Sequence, residues 1–343
     1  MRILSVRGRA GAREIPHAAS VPVATRTPTA ERPTARSRPL LRALGWIVEL
    51  ALLAGALWIV RRQLREVSIH ELIGEFRSLR PNRLVASFAL TVLGYLALAG
   101  YDIIALRFLR RSLAISRIVL ASFIGYALAN NIPLSLFVGG SVRYRFYSRW
   151  GLTTAETTEL VFLNLVTYTV GLLTAAALAF LLEPAAVPRL IGLRVSSTQP
   201  LGFVALAGVL AYLAWSLWGK PFHVMRWRLE PPSPSFAVQQ IVVSLADWTL
   251  SGAALFVLLP GSQAVAFFGF FEVFILGQIA ALIAQLPGGI GIFEAVVLAM
   301  LGGSYRRGAI FSALVAYRVI YFFLPLCVAT ALLSGRAVLK LGE

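Results

Sequence analysis

LVFLNLVTYTVGLLTAAALAFLL, residues 160–182, passes from Leu160 to Leu182 without a single charged side chain. A helix needs about 20 apolar residues to cross the roughly 30 Å hydrocarbon core of a bilayer. This run supplies them inside a longer unbroken helical stretch, about 155–182. Working outward, comparable runs lie at about 41–60, 84–106, 201–218, 237–259, 265–286 and 310–333. The 343 residues are 58% hydrophobic and 14% charged, against roughly 25% charged in a soluble domain. A chain so poor in charge cannot cover a water-facing surface. The expected fold is all-α, a polytopic membrane helix bundle with about seven spanning helices plus two broken or re-entrant segments.

The net charge of +17, from 32 basic and 15 acidic residues, raises the question of nucleic acid. The basic residues, however, lie between the apolar runs and in residues 1–40. That is the pattern of topology signals and of contact with anionic head groups, so no nucleic-acid partner is expected. Residues 1–40 are rich in arginine and proline and read as a disordered basic tail. Residues 41–335 form the membrane domain and 336–343 a short C-terminal tail. Residues 68–80, SIHELIGEFRSLR, place Ile69, Leu72, Ile73, Phe76 and Leu79 at helical spacing, as an amphipathic interfacial helix does. The basic tail and the basic 107–117 and 219–230 loops put the N-terminus in the cytoplasm. The lone Cys327 lies in an apolar run and reads as packing. His17, His70 and His223 have no metal-ligand spacing, and no GxxxxGK[ST] loop is present. No cofactor is therefore expected.

Two apolar segments are interrupted. In the first, about 118–138, Asn130-Asn131-Ile132-Pro133 break the helix, because Pro133 has no N–H to donate and restrains the residue before it. Gly139-Gly140 follow, then Arg143, Tyr144 and Arg145. In the second, Pro287-Gly288-Gly289 precede Gly291 and Glu294, and the apolar run beyond is too short to span. Irregular backbone at membrane depth is tolerated only against protein or water. Two such breaks in separate halves are the strongest pointer to a binding site; the plainer reading is two helix-breaking surface loops.

Glycines allow close backbone approach, the arginine fork matches phosphate oxygens, and tyrosines suit the head-group zone. The alternative for Arg143 and Arg145 is a topology signal. Arg318 sits deep in an apolar run, where a guanidinium costs about 2.5–3.5 kcal/mol or more without a partner. Acids within spans that could meet it are Asp247, Glu272, Glu49 and Asp102, as a structural pair or with a ligand between. Glu294 either caps the helix after the PGG break or balances a basic head group. Asn164, Tyr168 and Gln278 add polar atoms that join helices.

The run NNIPLSLFVGGSVRYRFYSRWGLT, residues 130–153, resembles the membrane domain of the lysylphosphatidylglycerol synthetase/flippase family, the multiple peptide resistance factors. IAALIAQLPGGIGIFEAVVLAML, 279–301, resembles that family's second signature, and AYRVIYFFLPL, 316–326, its late arginine-bearing helix. The resemblance covers about residues 41–335. It implies a multi-pass protein of the bacterial cytoplasmic membrane that moves an anionic or aminoacylated phospholipid, such as lysylphosphatidylglycerol, between leaflets. It also implies a substrate-binding set of Asn130, Asn131, Gly139, Gly140, Arg143, Tyr144, Arg145, Asp247, Glu272, Pro287, Gly288, Gly289, Glu294 and Arg318. Full-length relatives carry a separate cytoplasmic synthase that this sequence, ending at Glu343, lacks, so aminoacyl-tRNA-dependent synthesis is not expected of it. The partners implied are the phospholipid, the membrane, a separate synthase domain and a second copy of the chain. The rival readings are a membrane-embedded lipid-carrier transferase and a scaffold for a separate aminoacyl-phospholipid synthase.

Overall fold

The protein is described here from a computed structural model, which describes residues 74, 79–131, 135–183, 197–224, 227–260, 265–284 and 291–334. The basic tail, the 41–60 span, nearly all of the 68–80 helix, Pro133, Pro287, Gly288, Gly289 and the 336–343 tail lie outside the described residues. In chain order the helices are α1 (Pro81–Phe108), α2 (Ile115–Ala129), α3 (Ser135–Tyr147), α4 (Thr154–Leu182) and α5 (Gln199–Trp218). Then come α6 (Pro234–Phe256), α7 (Phe267–Ala284), α8 (Ile292–Leu301), α9 (Arg307–Tyr317), a π-helical turn (Arg318–Phe323) and α10 (Leu324–Ser334). A small antiparallel pair, β1 (Phe222–Val224) with β2 (Trp227–Leu229), joins α5 to α6. The remainder is helical because a backbone in hydrocarbon must satisfy its own hydrogen bonds.

Side-chain pairings give every helix a direction. Arg83 donates to the Leu259 carbonyl (2.6 Å), Ser87 to that of Ala254 (2.8 Å), and Gly100 packs on Val243, so α1 and α6 are antiparallel. Gln240 donates to Thr167 (2.7 Å) and Gly171 abuts Ser244, so α4 runs parallel to α6. Gly202 lies on Leu181 and Gly208 on Leu173, so α5 returns antiparallel to α4. Gly94 faces Tyr321, and Leu84, Val85 and Phe88 share a groove with Ala316, Val319 and Ile320, so α9, the π-turn and α10 run parallel to α1. The bundle thus has a Pro81 side, where α1 begins, and a Phe108 side, where it ends.

Both interrupted segments turn back. Gly125 and Ala129 of α2 lie against Arg143 and Gly139 of α3, an antiparallel pairing. The hairpin enters from the Phe108 side and returns to it: Arg111, just past α1, pairs with Glu156 at the start of α4 (2.8 Å). Thr153 caps α4 by a reciprocal bond with Glu156. In the second hairpin Gly277 and Phe274 of α7 pack on Phe293 of α8, and the Val265 backbone meets Tyr305. This hairpin enters from the Pro81 side, where Phe256 packs on Phe267 (5.4 Å) and Glu183 lies against Gly269. The 265–286 run, which reads in the sequence as an ordinary span, is therefore the first arm of a hairpin.

The result is an order that sequence similarity does not reveal. Span α1, a hairpin from one side and span α4 are followed, after connector α5, by span α6, a hairpin from the other side and the span α9–π–α10. The second unit is inverted relative to the first, the architecture that transporter folds build from inverted repeats. Two apolar clusters fill the bundle. One gathers α2, α3 and the Phe108-side halves of α1 and α4; the other gathers α7, α8, α9 and the Pro81-side halves of α4 and α6. Tyr168, at the middle of α4, packs against both.

Candidate functional site

The first hairpin is pinned by one buried ion pair. The Arg143 Nε donates to both oxygens of Asp102 (3.0 and 3.1 Å), Tyr147 donates to Oδ2 (2.6 Å), and the Asn164 amide donates to Oδ1. The guanidinium lies over the Tyr126 ring (4.3 Å), and its Nη1 reaches the Gly139 carbonyl (3.4 Å). A Cβ at Gly139 would stand 3.1 Å from Nη1, and one at Gly125 3.3 Å from it. Gly139 thus makes room for an arginine head, whereas Gly140 faces Val161 at ordinary distance. Arg145 lies two residues on, about 200° around the helix, and is exposed together with Tyr144. The two arginines of the GGSVRYR run therefore look in opposite directions.

The tip of this hairpin reaches mid-depth. Asn131 donates to its own helix at Ala127 (2.8 Å) and across to the carbonyl of Phe322 (3.2 Å), and Asn130 hydrogen-bonds the Tyr95 side chain. Phe322 belongs to the π-turn, whose cause is legible: Pro325 has no N–H for the carbonyl four residues back. That carbonyl, Tyr321 O, accepts from the Tyr95 hydroxyl instead (3.3 Å). Irregular backbone inside the bundle is thus satisfied by side chains from α1 and from the hairpin tip.

The second hairpin ends at the same turn. Gly291 takes φ 90°, a left-handed value suited to glycine, and opens α8, whose 10 residues extend about 15 Å, half the hydrocarbon thickness. Glu294 performs two tasks. Its Oε2 accepts from the Gly291 N–H (2.7 Å), while Oε1 accepts from Arg318 at Nε (2.7 Å) and Nη2 (2.6 Å). Arg318 also lies over Phe322 (4.7 Å). Both breaks, one through Asn131 and the other through Glu294, therefore close on the π-turn.

Arg318 faces the interior and meets an acid, as burial cost demands. The acid is Glu294, which is not among the acids within spans; of those, Glu49 lies outside the described residues. Asp102 is held by Arg143. Glu272 is buried and accepts from Thr198 at the start of α5, apart from the tips. Asp247, at the middle of α6, accepts from the Tyr101 hydroxyl at Oδ2 (3.0 Å). Ser251, one turn on, bonds the Tyr321 hydroxyl (2.6 Å), and Tyr321 stacks on Tyr317 (5.1 Å). Between the two ion pairs, two bonded pairs thus link α1 to α6 and α6 to the π-turn: Tyr101 with Asp247 and Ser251 with Tyr321. Tyr101 and Tyr321 are the part that the sequence reading passed over. Their signal was the count of tyrosines inside apolar runs, each of which needs a partner for its hydroxyl when buried.

Comparison with known proteins agrees with this geometry. Residues 46–329 match the family model described as the lysylphosphatidylglycerol synthase TM region. The protein slr0712 of Synechocystis sp. is 34% identical over 287 residues, covering 82% of this chain and 86% of that protein. The inner membrane protein YbhN of Escherichia coli is 34% identical over 250 residues, 72% of this chain and 77% of the relative. A phosphatidylglycerol lysyltransferase of Staphylococcus aureus is 24% identical over 285 residues, which are 80% of this chain but 32% of that enzyme. With a matching model over most of its length and a helical membrane fold built on two opposed hairpins, the chain belongs to the lysylphosphatidylglycerol synthase transmembrane-region family.

Proposed function

We propose that the chain is a flippase-like lipid transporter of the bacterial inner membrane that carries an anionic or aminoacylated phospholipid between leaflets. The observation that supports it most is the meeting of two opposed hairpin tips on the π-turn at the Arg318–Glu294 pair. Opening that pair presents a fork for phosphate oxygens and a carboxylate for an ammonium at one point. Those are the charges of an aminoacylated phosphatidylglycerol head group. Beside it, Leu84, Val85, Phe88, Ala316, Val319 and Ile320 line an apolar groove of about 400 Å³ between α1 and the arginine-bearing helix. The acyl chains stay in that groove and in lipid while the head group passes the tips. Arg145 and Tyr144, exposed on α3 toward the Phe108 side, meet the head group at entry, and Arg143 holds the hairpin in shape. The inner-membrane placement rests on the apolar spans and on the likeness to YbhN.

The test uses the purified chain in vesicles carrying fluorescent phosphatidylglycerol in both leaflets, with a membrane-impermeant quencher outside. The expected result is quenching beyond the outer-leaflet half without added ATP, slower for a neutral glycolipid. Quenching that stops where protein-free vesicles stop overturns the reading. A second reading, a scaffold for a separate synthase, has one observation in its favour: the aligned region is 32% of the Staphylococcus aureus enzyme. Lipid movement by the isolated chain decides against it.

A further inference from the structure

Asp247 differs from the two ion-paired acids, Asp102 and Glu294. Asp102 has Arg143 and Glu294 has Arg318, but Asp247 has no basic partner among the described residues. It is 5% exposed at the middle of α6, where the two apolar clusters meet. Its Oδ2 accepts from Tyr101, while its Oδ1 is buried and has no hydrogen-bond partner. Six tyrosines lie within its electrostatic reach: Tyr95 and Tyr101 from α1, Tyr126 from α2, Tyr168 from α4, Tyr317 from α9 and Tyr321 from the π-turn. Among the described residues of the other elements packed on α6, Tyr212 of α5 is bound to Gln240 and Glu272 of α7 to Thr198. The Tyr317 hydroxyl, like Oδ1, is buried without a partner.

An isolated carboxylate in an apolar interior neutralises by taking up a proton, because leaving it charged costs more than the group can recover. A neutral acid, unlike a salt-bridged one, is free to change charge. It also lies one turn from Ser251, which bonds Tyr321 of the π-turn. We propose that Asp247 is a proton-binding site that exchanges one proton per transport cycle, so that a pH difference across the membrane biases lipid movement. In the release step the carboxyl O–H breaks and the proton passes to water on one side. Tyr101 continues to donate to the carboxylate left behind. In the reload step a proton from water on the other side restores the acid. Nothing is oxidised or reduced.

The coupling half of this proposal rests on the transport reading above; the proton-binding half does not, and the experiment separates them. Infrared spectra of the purified protein in detergent near neutral pH should show the C=O stretch of a protonated carboxyl, absent from Asp247→Asn. Its absence from the unsubstituted protein, or its persistence in Asp247→Asn, overturns the assignment whether or not lipid moves. Tyr101→Phe removes the donor to the carboxylate, and the band should then persist to higher pH, which confirms the site where Asp247→Asn fails to fold. In vesicles, one proton per lipid shifts the steady-state leaflet ratio of phosphatidylglycerol by up to about tenfold per pH unit, and Asp247→Asn removes that response. Lipid movement indifferent to the gradient in a protein with the infrared band overturns the coupling. No lipid movement at all overturns the transport reading and leaves the infrared result to decide the proton site.

Discussion

The two re-entrant hairpins solve one problem with opposite economies. The first, α2 with α3, is anchored along its arm by Arg143 on Asp102, with Tyr147 and Asn164 completing the carboxylate's partners and the side chains 5% and 0% exposed. The second, α7 with α8, is anchored at its tip by Glu294 on Arg318, where the side chains are 8% and 13% exposed. In the first case the charge locks a buried arm of the hairpin. In the second the charge sits where the chain reverses and the helix is irregular. The pair far from the tip is the more deeply enclosed of the two, and the pair at the tip the more exposed.

The comparison breaks most easily at the first pair. Arg143→Ala strands Asp102 in an apolar interior and should cost about 3–5 kcal/mol, measured by equilibrium unfolding in detergent. A loss no larger than that of an exposed substitution would remove the distinction between the hairpins. Arg318→Lys keeps the charge and loses the planar fork. Phosphatidylglycerol movement should fall by about 5- to 100-fold, equivalent to about 1–3 kcal/mol at a bidentate contact, with the unfolding midpoint moving less than for Arg143→Ala. Unchanged transfer would confine Arg318 to architecture. The glycine pair sharpens the picture further. Gly139→Ala crowds the Arg143 head and should destabilise by about 1–3 kcal/mol. Gly140→Ala meets only Val161 at 3.8 Å and should stabilise by about 0.5–1 kcal/mol, the usual gain over glycine within a helix. Equal effects at the two positions would refute the cradle. Smallest of all, Arg145→Ala should leave stability within about 0.5 kcal/mol while slowing capture of anionic lipid in the vesicle assay.

Much of this was legible in the residues because hydrocarbon is a strict solvent. Apolar runs gave the helices, and Pro133, Pro287 and the adjoining glycines and asparagines gave the interruptions. Whether an interrupted segment crosses or doubles back was not legible, since that depends on Ala129 finding Gly139 and Gly277 finding Phe293. The partner of Arg318 was misplaced for a related reason. A search for acids inside continuous spans skips Glu294, which looks like a loop cap and is one, yet its second oxygen is the counter-charge. The Asp102–Arg143 pair was hidden because the two lie 41 positions apart and a loop arginine has an adequate explanation as a topology signal. Pro325 stands inside the last apolar run, but its presence does not disclose that Tyr95 and Asn131 bond the carbonyls of the π-turn.

The inversion of span, hairpin and span has a consequence for direction. A backbone that presents the same design to both leaflets has no arrow of its own: run backwards, the motion of one hairpin is the motion of the other. On the transport reading proposed above, net direction is then set by the lipid and proton gradients, and side chains that break the match set only what the head group meets on the way. The mismatch is visible, since the arm that leaves the first tip carries Arg143 and Arg145 while the arm that leaves the second carries Glu294. On that reading, the head group meets a different sign of charge according to the side from which it approaches.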